Sequence, residues 1–132
     1  MRTQEESNNL SQEESNKLLL NTAKDGNFYL VNVALGEKAN INARDEKGYT
    51  PLHLAACSIA SDVIKLLIER GADINAQDSE GRTPLHVAAQ YGRYNAAEAL
   101  IERRADINAV DKNGQTPYTW QLKMIILQLY KH

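Results

Sequence analysis

The sequence predicts an all-α solenoid, a stack of helix-turn-helix repeats, and three observations carry the prediction. Thr50-Pro51-Leu52-His53 returns as Thr83-Pro84-Leu85-His86, a step of 33, and a degraded copy, Thr116-Pro117-Tyr118-Thr119, follows at the same step. Ala39-Asn40-Ile41-Asn42-Ala43 becomes Ala72-Asp73-Ile74-Asn75-Ala76 and then Ala105-Asp106-Ile107-Asn108-Ala109. Each of these is followed by an acidic turn: Asp45-Glu46-Lys47-Gly48, Asp78-Ser79-Glu80-Gly81 and Asp111-Lys112-Asn113-Gly114. Separate landmarks sharing one period mark stacked supersecondary units. Such stacks present long binding surfaces more often than catalytic pockets.

In chain order, residues 1–15 form a polar segment, expected to be flexible. Gln4-Glu5-Glu6-Ser7-Asn8 recurs as Gln12-Glu13-Glu14-Ser15-Asn16, and only Leu10 offers apolar burial. Met1 to Asn9 read as a solvated leader, with a charged binding tail as the alternative, and helix is expected to begin near Ser11. The array then occupies residues 16–132. Its first repeat, 16–44, has Lys17-Leu18-Leu19-Leu20 in the Thr-Pro-Leu-His register. Leu30, Val31, Val33, Ala34 and Leu35 match a second helix. A terminal repeat meets water on one face, so an atypical sequence suits an N-terminal cap.

The repeats 45–77 and 78–110 are regular. Thr50 and Thr83 are N-caps, and each following proline sits in the first helical turn, where its missing N–H costs nothing. Leu52, Ala55 and Ala56, like Leu85, Ala88 and Ala89, fall at i, i+3, i+4. Their alanines let neighbouring helices approach closely. Val63, Ile64, Leu66, Leu67 and Ile68 are broadly apolar, as a helix packed on both sides requires. Gly71 suits a left-handed C-cap. Ile59 stands where Gly26 and Gly92 mark the inter-helix turn. Either Ser58-Ile59-Ala60 turns differently, or Ile59 is strained. Lys38 and Arg104 replace the glycine seen at Gly71. There the second helices end less sharply, or a side chain is held at positive φ.

The last segment, 111–132, is a partial C-terminal cap. Tyr118, Leu122, Ile125, Ile126 and Leu129 share one helical face, which can cover the third repeat; Trp120, Met124 and Leu127 lie nearly opposite. A capping helix or broken helix pair is the main reading. An apolar patch meeting another molecule or a second copy, and an array cut short, are the alternatives.

At 132 residues the chain is large enough for a real core, and its net charge of −2 with both signs interspersed argues against a nucleic-acid or anionic-membrane surface, since both favour a basic face. No apolar run is long enough to span a bilayer, and the N-terminus lacks a signal-peptide core. Cys57 is the single cysteine, so no internal disulfide forms, which fits a reducing compartment. His53 and His86 stand one repeat apart, about 8–10 Å across packed helices, too far for one metal ion to bridge. Cys57 has no histidine or basic residue beside it in sequence and reads as a free, partly exposed thiol. Asp45, Asp78 and Asp111 are turn residues that bond nearby backbone N–H groups. No catalytic, cofactor or metal motif is present.

With Thr-Pro-Leu-His at this spacing the chain resembles the ankyrin-repeat family, from roughly Asn16 to His132. The resemblance implies an ankyrin-repeat stack with β-hairpin-like connecting loops. It implies that the motif histidines hydrogen-bond within and between repeats. Asn42, Asn75 and Asn108 then steady the hairpins, and asparaginyl hydroxylation is a minor alternative. Aligning the repeats isolates the positions where they differ. At the tips these are Glu46, Lys47 and Tyr49; Ser79, Glu80 and Arg82; and Lys112, Asn113 and Gln115. At the ends of the first helices they are Lys24 and Asp25, Cys57 and Ser58, Gln90 and Tyr91, while Arg44 and Gln77 precede the turns. In similar proteins these positions form the concave groove and finger tips that grip a partner. Tyr49, Arg82 and Tyr91 are the expected anchors. The expected function is a non-enzymatic, intracellular, cytoplasmic protein-interaction module: an adaptor, an inhibitor, or an effector delivered into a host cell. The partner is a protein or peptide, not nucleic acid or membrane. The alternative is a self-associating unit, a homodimer through Trp120, Met124 and Leu127.

Overall fold

The computed structural model describes residues 10–119. They form six helices: α1 Gln12–Asp25, α2 Phe28–Gly36, α3 Pro51–Ala56, α4 Ser61–Glu69, α5 Pro84–Gln90 and α6 Tyr94–Glu102. A further helical turn begins at Pro117, and no strand occurs among the described residues. The C-terminal face predicted for Leu122, Ile125, Ile126 and Leu129, and the opposite one of Trp120, Met124 and Leu127, lie outside them, as do Met1 to Asn9.

Four of the six helix starts are set by a side-chain cap, at Ser11, Asn27, Thr50 and Thr83, while α4 and α6 begin without one. Ser11 caps α1: its Oγ accepts from the Glu14 N–H at 3.1 Å, and Glu14 Oε1 accepts from the Ser11 N–H at 3.2 Å. The helix therefore begins ahead of residue 16 and ties into the first repeat. Gln12 Nε2 donates to the Lys38 carbonyl at 3.1 Å, and the Ser15 hydroxyl donates to the Glu37 carbonyl at 3.0 Å. Hydrogen bonds rather than apolar side chains anchor this end, so hydrophobic patterning does not reveal it. Thr50 and Thr83 cap α3 and α5 as their sequence requires, each followed by proline.

The helices form two layers. α1 packs on α3 and α3 on α5; α2 packs on α4 and α4 on α6; each repeat pairs one helix from each layer. The core runs between the layers through Leu19, Val31, Leu52, Ile64, Leu67, Leu85 and Leu100. Ala55, Ala56 and Ala88 are fully buried where the first-layer helices meet. At the N-terminal end α2 buries Val31 and Ala34 but exposes Tyr29, Leu30 and Val33, because no repeat precedes it among the described residues.

The turns resolve both irregularities of the sequence. Gly26 and Gly92 are left-handed, at φ 69° and 65°, and Ile59 is not. At the two glycine turns a backbone N–H closes the loop: Asn27 N–H to Thr22 O at 3.0 Å, and Arg93 N–H to Ala88 O at 2.8 Å. In the second repeat the Ser58 hydroxyl replaces that bond. It accepts from the Ala60 N–H at 3.2 Å and donates to the Ala55 carbonyl at 2.9 Å. Ile59 then points to solvent, 82% exposed and without left-handed strain. Lys38 and Arg104 do take positive φ, 63° and 67°, in the place of Gly71 at 96°.

Gly26 is also crowded. A Cβ there would stand 2.8 Å from Ala60 Cβ in the next repeat. Gly26→Ala adds that clash to an unfavourable φ, and we expect it to lower unfolding free energy by about 1–3 kcal/mol. Urea titration checks this; an unchanged midpoint would show that the first inter-repeat turn tolerates displacement.

Candidate partner-binding groove

The loops between repeats project as fingers, and their rigidity follows from three periodic residues. Asp45 Oδ1 accepts from the Lys47 and Tyr49 N–H groups, both at 2.9 Å, while the Asp45 N–H donates to the Tyr49 carbonyl. Asp78 and Asp111 repeat the arrangement with Glu80 and Arg82, and with Asn113 and Gln115. This backbone closure makes each tip hairpin-like without forming a strand. Asn42 Oδ1 accepts from the Asp73 N–H, and Asn75 Oδ1 from the Asp106 N–H, both at 2.9 Å, which ties each loop to the next. The histidines complete the ties. His53 Nε2 donates to the Arg82 carbonyl at 2.8 Å while Nδ1 accepts from the Thr50 N–H at 3.1 Å. His86 does the same with Gln115 and Thr83. Adjacent tips also bond directly, Ser79 N–H to Lys47 O at 3.2 Å and Lys112 N–H to Glu80 O at 3.0 Å.

Between the first finger and the helices α1 and α3 lies a groove of about 1100 Å³. Arg44, Glu46, Lys47, Tyr49, Cys57 and Tyr91, all expected at a partner surface, line it. Its other wall is α1, through Glu13, Lys17, Leu20, Asn21 and Lys24. Apart from Lys24, sequence reasoning missed this wall, although the spacing places these residues on one helical face. The remaining predicted positions lie elsewhere. Gln77, Ser79 and Glu80 are exposed around the second finger, Lys112 and Asn113 on the third, and Gln115 is half-buried. Ser58 serves the turn described above.

Two expected anchors have internal work. The Arg82 guanidinium donates from Nε to Asp78 Oδ2 at 3.1 Å, to Gln90 Oε1 at 3.0 Å and to the Tyr49 hydroxyl at 3.1 Å. Asp78 is buried, 1% exposed at its side chain, and Arg82 is 19% exposed. Tyr49 leans on His53, with ring centroids 5.8 Å apart. Burial pushes the Tyr49 hydroxyl above its ordinary range, with Arg82 opposing. Arg82→Ala therefore removes the buried carboxylate's ionic partner. We expect a loss of about 2–4 kcal/mol in folding stability, less than a fully buried pair because Arg82 reaches solvent. Chemical denaturation checks it; a stable Arg82→Ala variant would show that the network contributes little. Tyr91, 55% exposed, is the anchor free to meet a partner.

The Cys57 thiol donates to the Leu54 carbonyl at 3.0 Å. Burial raises its pKa, only partly offset by its own backbone N–H and then by Lys24 and Arg93, so the thiolate is disfavoured. Among the described residues no three His, Cys, Asp or Glu side chains gather as a metal site. No helix among them is long and apolar enough to cross a membrane. At the far end of the array, Tyr94, Ala97, Ile101, Ile107, Pro117 and Tyr118 line a separate apolar hollow of about 440 Å³.

A stack of helix pairs with tied hairpin tips is the architecture of an ankyrin array. A family model described as ankyrin repeats, in three copies, matches residues 19–111. The chain belongs to the ankyrin-repeat family. It is 45% identical over 49 residues to ankyrin repeat-containing protein P1E11.10 of Schizosaccharomyces pombe, covering 37% of this chain and 24% of that one. It is 41% identical over 61 residues to human ankyrin repeat domain-containing protein 49, covering 46% of this chain and 26% of the relative. The matches thus span about a quarter of each relative's length. Ankyrin repeats are generally protein–protein interaction modules and typically not enzymes.

Proposed function

We propose that this chain is an intracellular protein-interaction module that holds a protein or peptide in its concave groove and against its finger tips. One observation carries the reading: rigid, hydrogen-bonded fingers and the α1–α3 face enclose a groove in which Tyr91 and several charged side chains are left facing outward. A preorganised surface of this kind loses little conformational freedom on binding. The adaptor, inhibitor and effector roles all use this face. The lone Cys57, unable to form an internal disulfide, supports the intracellular placement.

The test compares capture of partners from cell lysate by the wild-type chain and by a Tyr91→Ala, Lys47→Ala variant. Both residues are exposed, so circular dichroism should show an unchanged fold. The proposal expects a partner retained by the wild type and weakened at least tenfold in the variant. Equal capture would move the contact off the groove. Concentration-dependent mass with no foreign partner would favour self-association.

A further inference from the structure

Resting on the reading of the groove as a peptide-binding surface, we infer that it selects an extended segment bearing acidic side chains around an apolar one. The whole chain carries a net charge of −2, yet the groove departs from that balance. Its cations are Lys17, Lys24, Arg44 and Lys47, and its carboxylates are Glu13, Asp45 and Glu46. Lys17 and Glu13 lie 3.4 Å apart and offset one another. The Asp45 carboxylate is engaged by two backbone N–H groups of its own turn. Those N–H groups are neutral and Asp45 keeps its charge, so the lining carries four cations against three carboxylates, a balance of +1 where the whole chain has −2.

Arg44 places its guanidinium against carbonyls only, those of Gly48 at 2.9 Å and Gln77 at 2.6 Å, so its charge has no carboxylate counterpart there. Lys24 and Lys47 are exposed and form no ion pair among the described residues. Lys24 projects from the α1 wall and Lys47 from the finger, on opposite sides of the groove. An anionic chain lying between them meets positive charge from both sides. Leu20, Ala43, Leu54 and Tyr91 add apolar surface to the same lining. A segment lying along this lining can reach the lysines with acidic side chains while an aliphatic one rests on the apolar surface of Leu20 and Leu54.

The experiment selects binders from a displayed library of random twelve-residue peptides. It uses the wild-type chain and a Lys24→Glu, Lys47→Glu variant whose fold is checked by circular dichroism. Wild type is expected to enrich peptides with two or more Asp or Glu residues flanking an aliphatic one. Synthetic versions should bind the variant roughly tenfold more weakly, with an affinity that falls as salt rises. Enrichment of neutral or basic peptides that still compete at the groove would overturn the acidic preference and leave the module reading standing. No enrichment by the wild type would sink both. Binding of a single-stranded DNA 20-mer as tightly as the best peptide would overturn the inference in favour of unspecific polyanion attraction.

Discussion

Leu67→Ala is expected to lower the stability of the whole array by about 2–5 kcal/mol, the range for emptying a leucine-sized site in a core that cannot collapse around it. Leu67 is fully buried on α4, the helix that contacts α2, α3 and α6. Repeats in a stack are stabilised by neighbours, so damage to a central helix weakens both flanking interfaces at once. A domain of this size has roughly 5–15 kcal/mol in total. Equilibrium urea unfolding should show one transition shifted to much lower denaturant. Ile101→Ala, on α6 and 51% exposed, should cost about 1 kcal/mol or less. Similar losses at the two sites would mean that α4 is not the centre of the core.

His53→Ala is expected to cost about 2–4 kcal/mol, because it orphans one buried and one part-buried backbone group as well as removing the ring. The Thr50 N–H loses its acceptor, and the Arg82 carbonyl loses the donor that links one repeat to the next. His53→Gln, able to restore one of these bonds, should lose less. The same geometry sets a pH dependence. Burial lowers the His53 pKa below its ordinary value of 6.5, with the Arg82 carbonyl the main opposing influence. Below pH 6.5 the unfolded chain therefore binds more protons here than the folded one. This contribution to stability is intact above pH 6.5 and is lost as pH falls toward the folded pKa. Within that window the slope is at most about 1.4 kcal/mol per pH unit. Unfolding measured between pH 8 and 5 checks it, and in His53→Gln this part of the slope should vanish. An unchanged slope would assign the acid sensitivity to other groups.

The fold was legible because its determinants are periodic. Thr-Pro-Leu-His encodes cap, first turn and inter-repeat bond together, and the alanines of α3 and α5 encode close packing. What escaped was held by single polar contacts. Ser15 and Gln12 join the first repeat through hydrogen bonds to a turn more than twenty residues away. Ile59 escaped left-handed strain because Ser58 supplies a bond that the aligned repeats take from backbone. Of the candidate groove, the finger side was legible and most of the α1 wall was not. Variation between repeats singles out Lys47, Tyr49 and Tyr91 at the groove, but it selects Arg82 equally well, although Arg82 varies for the sake of Asp78 and Tyr49. It overlooks Lys17 and Leu20 because the first repeat aligns poorly. Cys57 has no basic neighbour in sequence, and Lys24 and Arg93 approach it only once the helices stack.

Binding in the groove is tested most simply by alkylation of Cys57, the chain's single thiol and a lining residue of the groove. Its rate would be compared for the free chain and for the chain saturated with its captured partner. A control carries a cysteine at exposed Lys65 on α4, outside the groove, in a Cys57→Ala background. At least roughly tenfold protection of Cys57 is expected, with the control unchanged. Protection of the residue-65 cysteine while Cys57 reacts at its free rate would contradict the concave groove as the binding surface.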